Sequence, residues 1–551
     1  MQQIEELINN LVKSLYDVEV ATKLTRTDEK FGDFTSNVAL QLASKLPNPP
    51  ADGPRAIAQQ IVDNLAHESI AKAEVAGPGF INLTLSDQAL AMLTRQPLAL
   101  QRQDSTVVIE TNNPNPFKAM HIGHAFNAII ADTIANLLEA SGAHTYRVSY
   151  HGDVGLHVGK SMYSLLKFVD GDVGRLADVA EDERNVFMAR MYAEGARAYK
   201  ENEAAKAEIE SLAKQSFTRG DAVYAQVYET VFDWSFEQID SMVARLGNKP
   251  TSQRFLESDA ELRGVKIVKD NVPKVFQESD GALMFKGSDY GSFDNVFVGK
   301  NGNGLYAARD LGLMQLKNEQ YHPHRSYIVT AEEQRAYFVG VIAAAELCIP
   351  AMHGQTLNIT TGTVKLASGK MSSRDGDVLD IAWLFHQVAE AIKARGGEPD
   401  DQLVAGVLRY EFLKVRIGGD VVFDINEAVS LQGNSGPYLQ YAHARARSIL
   451  LKGHVDAGQD WQQQQLEKDE RTLVRKIGEY AEVADLAIGE LMPHHVANYL
   501  YELAQTFNRF YEGNRVIGDA RQSQRLGLVA AYANTLKCGM ELLGMHAPDV
   551  M

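Results

Sequence analysis

Cysteine is almost missing: the 551 residues hold only Cys348 and Cys538. Two are too few for a disulfide framework or a cysteine-rich zinc site, and they suit a reducing cytosol. Basic residues are also short, with 54 Lys and Arg against 71 Asp and Glu, for a formal charge of −17. So acidic a chain has no general electrostatic pull on nucleic acid, and any RNA contact must come from local basic surface. Long apolar runs are lacking too. The most apolar stretch, residues 337–352, is interrupted by Glu346 and is too short to span a bilayer. Residues 1–6 carry no basic segment followed by an apolar one, and their acids argue against a transit peptide. What is present is an ordinary globular composition, 45% hydrophobic and 23% charged, which excludes a disordered or fibrous chain. The length implies about three domains. A soluble cytoplasmic protein is expected.

The first hundred residues read as a small α/β unit. Ile4, Leu7, Ile8, Leu11, Val12 and Leu15 recur at helical spacing, and the run from Gly77 to Leu85 reads as a turn and a strand. Residues 95–105 have little pattern and read as a linker. Val107-Val108-Ile109-Glu110 then has the β-branched run of a buried strand. A Pro/Asn-rich loop follows, and Ile122, Phe126, Ile129, Ile130, Ile134, Leu137 and Leu138 mark one face of a long helix stopped at Ser141-Gly142. Val148-Ser149-Tyr150 is the next strand. Strand, loop, helix, strand opens a parallel α/β sheet. Residues 160–300 read as a charged helical insertion, with the sheet resuming near Gly304-Leu305-Tyr306 and Ser326-Tyr327-Ile328-Val329. Past about Asp400 no strand pattern persists and a helix bundle is expected, with Trp461 and residues 462–465 as a solvated connector.

The first chemical signal is His121-Ile122-Gly123-His124, at the junction of that loop and that helix. Parallel α/β sheets bind ligands there, and a helix N-terminus offers phosphate free N–H groups and partial positive charge. Two imidazoles three residues apart can reach one ligand, and Gly123 lets a nucleotide lie close to the backbone. Two surface histidines near a cap are the bland alternative. The second signal is Gly369-Lys370-Met371-Ser372-Ser373-Arg374-Asp375-Gly376. Glycines flanking a lysine, two hydroxyls and an arginine suit a loop that grips polyphosphate, or a solvated turn.

Together, in this order and about 250 residues apart, the two are far more specific than either alone. They resemble the paired nucleotide-binding signatures of class I aminoacyl-tRNA synthetases. The surrounding residues resemble the arginyl-tRNA synthetase family: Asn113-Pro114-Asn115-Pro116-Phe117-Lys118 before the first signature, Tyr150-His151-Gly152-Asp153-Val154-Gly155 after it, and Tyr306-Ala307-Ala308-Arg309-Asp310. So do Gly436-Pro437-Tyr438-Leu439-Gln440-Tyr441-Ala442-His443-Ala444-Arg445 and Leu542-Leu543-Gly544-Met545-His546-Ala547-Pro548. Gly32-Asp33-Phe34 is similar to the family's extra N-terminal domain. Two departures stand out: Val154 replaces a usual tryptophan, and Ser373 replaces the second lysine of the signature loop.

The resemblance implies a Rossmann-type parallel-sheet catalytic domain over residues 104–425, a small N-terminal α/β domain over 1–103 that touches tRNA, and an all-α anticodon-binding domain over 426–551. It implies ATP-dependent ligation of L-arginine to tRNA(Arg) through an arginyl-adenylate, with Mg²⁺ accompanying ATP. Lys118, His121, Gly123, His124, Lys370, Met371, Ser372 and Arg374 are the implied ATP contacts, with His121, His124, Lys118 and Lys370 catalytic and Lys118 standing in for the missing lysine. Glu110, Asn115, Glu257, Tyr306, Asp310 and Gln334 are implied around the amino acid, with Asp310 and Tyr306 suiting the guanidinium and Asn115 and Gln334 the α-amino group. An ion pair, for example Asp310 with Arg309, is the structural alternative. A site of buried carboxylates rejects neutral side chains, which reduces any need for proofreading. Phe80 and Asn82 match positions that meet the tRNA elbow, although Phe80 could equally be core. Residues 431–455 contain no acid, and there Tyr438, Tyr441, His443 and Arg445 could stack on bases and hold phosphates, or pack in a bundle. A monomer without membrane or DNA partners is implied. The competing readings are another class I synthetase, an H-x-G-H nucleotidyltransferase, a non-catalytic tRNA-binding relative, and a metal hydrolase using His121, His124, His144, His151 or His157. H-x-x-H spacing is poor for zinc beside the usual i, i+4 pair.

Overall fold

The computed structural model describes residues 2–47, 50–367, 379–454 and 465–551. Five parallel strands carry the centre of the molecule: β1 (Thr106–Glu110), β2 (His144–His151), β3 (Gln253–Leu256), β4 (Arg325–Ala331) and β5 (Thr356–Thr361). Their order is β5-β4-β1-β2-β3, every pair parallel. Val107, Val108 and Ile109 are fully buried, as an unbroken β-branched run requires when both faces of a strand are covered. The chain leaves β1 toward β2 on one side, and β4 joins β1 on the other. That reversal opens a crevice at the carboxyl ends of the strands.

The crossover from β1 to β2 is α1 (Ile122–Ala140), which packs against the sheet and against helices of the C-terminal region. Ser141 caps it, and Gly142, at φ +87°, turns the chain back into β2. Residues 306–321 form a second helix at the crevice, α2 (Tyr306–Tyr321). This corrects the expected strand at Gly304-Leu305-Tyr306. Leu305 is the cap of α2, and its N–H is tied to the Phe297 carbonyl at 2.8 Å.

The insertion contains the helices Leu156–Val169, Arg184–Glu201, Glu203–Thr218 and Ala222–Arg245, which share a core of their own. It also holds strands that the charged composition concealed. Phe276–Ser279, Ala282–Phe285 and Asn295–Val298 form a three-stranded antiparallel sheet, and β3, an edge of the central sheet, also falls within the insertion. Past residue 400 the described residues form helices joined by turns, with one short strand, Val421–Phe423, which pairs in parallel with Val364–Leu366. Three residues are too few to show an alternating pattern. Trp461 and residues 462–464 lie outside the described residues. No described helix is long and apolar enough to cross a membrane.

The N-terminal unit is a four-stranded sheet with helices, and it docks on the C-terminal helix Lys468–Ile477. Asp33 is central to the contact. Its carboxylate, 3% exposed, accepts from Arg471 at 2.6 Å and from the Leu85 N–H at 2.8 Å. Arg26 pairs with Glu482 on the next helix at 2.8 Å. Asp33→Ala should therefore cost about 2 kcal/mol, the scale of buried hydrogen bonds to a charged group. A lower unfolding midpoint and faster amide exchange at residues 468–477 are expected. An unchanged midpoint would refute the clamp.

Candidate active site

The loop from β1 to α1 is stapled to the end of β2 by its asparagines. Asn113 Oδ1 accepts the Tyr150 N–H at 2.9 Å, and Asn115 Oδ1 accepts the Gly152 N–H at 2.8 Å. At its tip Phe117 takes φ +65°, a conformation non-glycine residues seldom adopt. Its ring is fully buried in the insertion core, its N–H donates to Ser235 Oγ and its carbonyl accepts from Ser161. These anchors over-determine the strained residue and set Lys118 beside the helix start. Burial pulls the Lys118 ammonium below its ordinary value, against the opposing pull of Glu257.

His121 is the N-cap of α1 and His124 its third residue. Each Nδ1 accepts the other's backbone N–H at 3.3 Å. The tautomer follows from these bonds. With both Nδ1 atoms accepting, the proton of each neutral ring sits on Nε2. The rings stack with centroids 3.5 Å apart, an arrangement that disfavours double protonation. Burial, with Lys118 adding to it, holds the His121 imidazole at about 4, and burial, with His121 and Lys118 adding to it, holds His124 well below its usual value. A Cβ on Gly123 would stand 3.1 Å from His121 Nδ1, so glycine leaves this cap its room.

Across the crevice, Tyr306 opens α2 and is 70% exposed, with Asp310 one turn on. Asp310 is not paired with Arg309. Arg309 turns away to Glu257 at 2.8 Å and Glu261 at 3.0 Å. Asp310 receives the Tyr337 hydroxyl instead, and burial pushes its carboxyl up to about 7. Glu110 is 4% exposed and pairs with Lys317 at 2.6 Å, while Asn113 Nδ2 donates to its other oxygen at 2.9 Å. Its charge is thus compensated within the protein. Glu257 also faces the cleft, and burial raises its carboxyl against the pull of Arg309. Gln334 ends a short turn of helix just beyond β4.

One cleft of about 1020 Å³ brings His121, Gly123, His124, Glu110, Asn115, Glu257, Tyr306, Asp310 and Gln334 together. Asn113, Tyr150, Phe293 and Tyr337 line it as well and were not singled out from sequence. Tyr337 stands three residues after Gln334, a spacing that offered the one available hint. Lys370, Met371, Ser372 and Arg374 lie outside the described residues. The flanks of their loop do border the cleft, through Lys365 and Leu366 on one side and Leu379 on the other. Leu379 O accepts the Ile122 N–H at 2.8 Å, so the loop's exit is tied to the start of α1. The histidines of the metal reading do not converge: His144 and His151 stand at opposite ends of β2, and His151 bonds the Pro114 carbonyl at 2.7 Å.

The candidate RNA contacts divide. Phe80, 37% exposed, and Asn82 share the outer face of the strand Phe80–Leu85, while Ile81, Leu83 and Leu85 fill the core. On α3 (Gly436–Lys452) Tyr441 is 42% exposed, and Arg445 lies over the Tyr511 ring at 4.7 Å. Tyr438 is half-buried, its hydroxyl accepting from Asn508 at 2.8 Å. His443 requires a correction. It is 2% exposed and bonds the Pro548 carbonyl at 2.8 Å, so it packs the bundle and offers no surface to RNA.

A parallel sheet with paired histidines capping the first crossover helix, over a crevice lined by buried carboxylates, fits a class I aminoacyl-tRNA synthetase. Family models agree in detail. The arginyl-tRNA synthetase N-terminal domain matches residues 2–85, the class I (R) tRNA synthetase catalytic domain 87–399, and the DALR anticodon-binding domain 439–551. The chain belongs to the arginyl-tRNA synthetase family. The arginine–tRNA ligase of Thermobifida fusca is 30% identical to it over 95% of this chain and 94% of its own. That of Bacteroides thetaiotaomicron is 26% identical over 100% and 99%. The Thermus thermophilus arginyl-tRNA synthetase structure shares the fold with a TM-score of 0.78 at 24% identity, both chains covered in full.

Proposed function

We propose that this cleft activates L-arginine with ATP and passes the arginyl group to tRNA(Arg), and that its residues divide the work as follows. The substrate carboxylate attacks the α-phosphorus, the bond to the bridging oxygen breaks, and pyrophosphate leaves. The terminal ribose of the tRNA then takes the arginyl group and AMP departs. The nucleophile is already ionised, so the first step needs no general base. It needs alignment and donors where phosphate charge develops. His121 and His124, neutral with Nε2–H free of the helix, suit that role, with Lys118 beside them. Lys370, Met371, Ser372 and Arg374 are the further ATP contacts, by their resemblance to the family's signature loop. Mg²⁺ arrives on the ATP phosphates.

The observation that carries the arginine reading is Asp310, a buried carboxylate that no cation among the described residues neutralises by direct pairing. A planar, permanently charged guanidinium is its complement. Tyr306 covers the same end, and Asn115 and Gln334 take the α-amino group. Glu110, compensated by Lys317, shapes the pocket more than it supplies charge. Phe80 and Asn82 meet the body of the tRNA, while Tyr441 and Arg445 meet the anticodon side. We take the enzyme to act in the cytoplasm as a monomer, a reading its two free cysteines suit.

ATP–pyrophosphate exchange with each amino acid, with and without tRNA, is the test. Exchange with arginine supports the reading, and a requirement for tRNA adds coupling between the two sites. Exchange with another amino acid alone, or none with arginine under either condition, overturns it.

A further inference from the structure

Tyr150, next to the last residue of β2, lines the cleft and has no role so far. Its hydroxyl oxygen is buried with no hydrogen-bond partner among the described residues. Such an orphan is unusual in a place rich in acceptors. Asp310, Glu257 and Glu110 all act on it electrostatically, yet each is engaged elsewhere. Asp310 takes the Tyr337 hydroxyl, Glu257 takes Arg309, and Glu110 takes Lys317 and Asn113. The Tyr150 backbone is fixed by Asn113 at 2.9 Å, so the residue is positioned rather than loose.

We propose that Tyr150 is a specificity-determining residue, its hydroxyl oxygen accepting one N–H of the substrate guanidinium whose other edge lies on Asp310. The inference rests on the arginine reading above. A guanidinium carries five N–H donors in a rigid fork, and one carboxylate satisfies two of them. The rest need acceptors where water is excluded. Both oxygens of Glu110 are already bonded, whereas the Tyr150 oxygen has no partner among the described residues and is open to accept. Burial and the surrounding acids keep the phenol protonated, so it meets the cation as a neutral group.

Tyr150→Phe removes one oxygen and keeps the ring. Arginine- and ATP-dependence of pyrophosphate exchange should be measured for wild type and variant, with tRNA present. The KM for arginine should rise about tenfold, with kcat within about twofold and the KM for ATP unchanged. A shifted ATP KM with arginine's unmoved would place the hydroxyl on the nucleotide, and no change in either would make it packing. Both results overturn the inference. Absence of arginine-dependent exchange in the wild type would instead defeat the arginine reading itself.

Discussion

Asp310→Asn raises the KM for arginine by about 10²- to 10³-fold and leaves ATP binding nearly intact, if the carboxylate is the partner of the guanidinium. The scale is that of breaking a buried ion pair by removing one member. The substitution keeps shape and keeps an acceptor for Tyr337, so loss of charge is what it tests. The pH dependence supplies an independent reading. Burial raises the Asp310 carboxyl to about 7, against 3.8 for the free group. Arginine requires the ionised form. Its affinity should therefore fall about tenfold for each pH unit below 7 and level off above it. The same shift has a cost for the ligand-free protein. With the folded value above the unfolded one, the unfolded chain releases this proton first, and stability declines as pH rises from about 4 to 7. Bound arginine should offset that decline, stabilising more at pH 8 than at pH 6. The Asn variant should lose both dependences. Equal loss of arginine and ATP binding would sink the assignment.

What the sequence made legible follows from range. Val107-Val108-Ile109 announced a buried strand and the apolar face from Ile122 to Leu138 announced its crossover helix, because each pattern is written in consecutive residues. The histidine pair was legible for the same reason, as a motif at a strand–helix junction. Tyr306 and Asp310 were legible as residues, but their charge partners were not. Nothing near Glu110 foretells that Lys317, 207 residues on, neutralises it. Nothing in Tyr306-Ala307-Ala308-Arg309-Asp310 says that Arg309 turns to Glu257 and Glu261 while Asp310 takes the Tyr337 hydroxyl. Partners of that kind are set when distant elements meet. The same limit explains His443, whose burial is imposed by the chain end folding over α3 at Pro548. It explains Tyr150 as well, ordinary in a strand and unusual only once three acids surround it.

His124→Ala should lower kcat for pyrophosphate exchange by about 10²- to 10³-fold, the range for removing one preorganised donor to a developing phosphate charge. The KM for arginine should move only a few-fold if the ring serves the nucleotide as proposed. Two effects must be separated. His124 Nδ1 also accepts the His121 N–H, so the variant loses half of a reciprocal cap, worth about 1 kcal/mol of stability. That loss lowers the unfolding midpoint without touching a rate measured well below it. The pH profile then decides the protonation state. Both rings are held neutral at pH 6 to 8, His121 down to about 4. At saturating arginine, kcat should be flat across that interval. A rate that falls as pH rises through about 6.5 would mean imidazolium donors and would overturn the Nε2–H assignment. Stability moves oppositely to that of Asp310. The folded imidazoles resist protonation that unfolded ones accept below about 6.5, so their contribution is lost as pH falls from there toward 4. On this assignment arginine binding should weaken in acid because Asp310 gains a proton, while the histidines keep theirs unchanged. Acid should therefore inhibit this enzyme through KM for arginine well before it alters the chemical step.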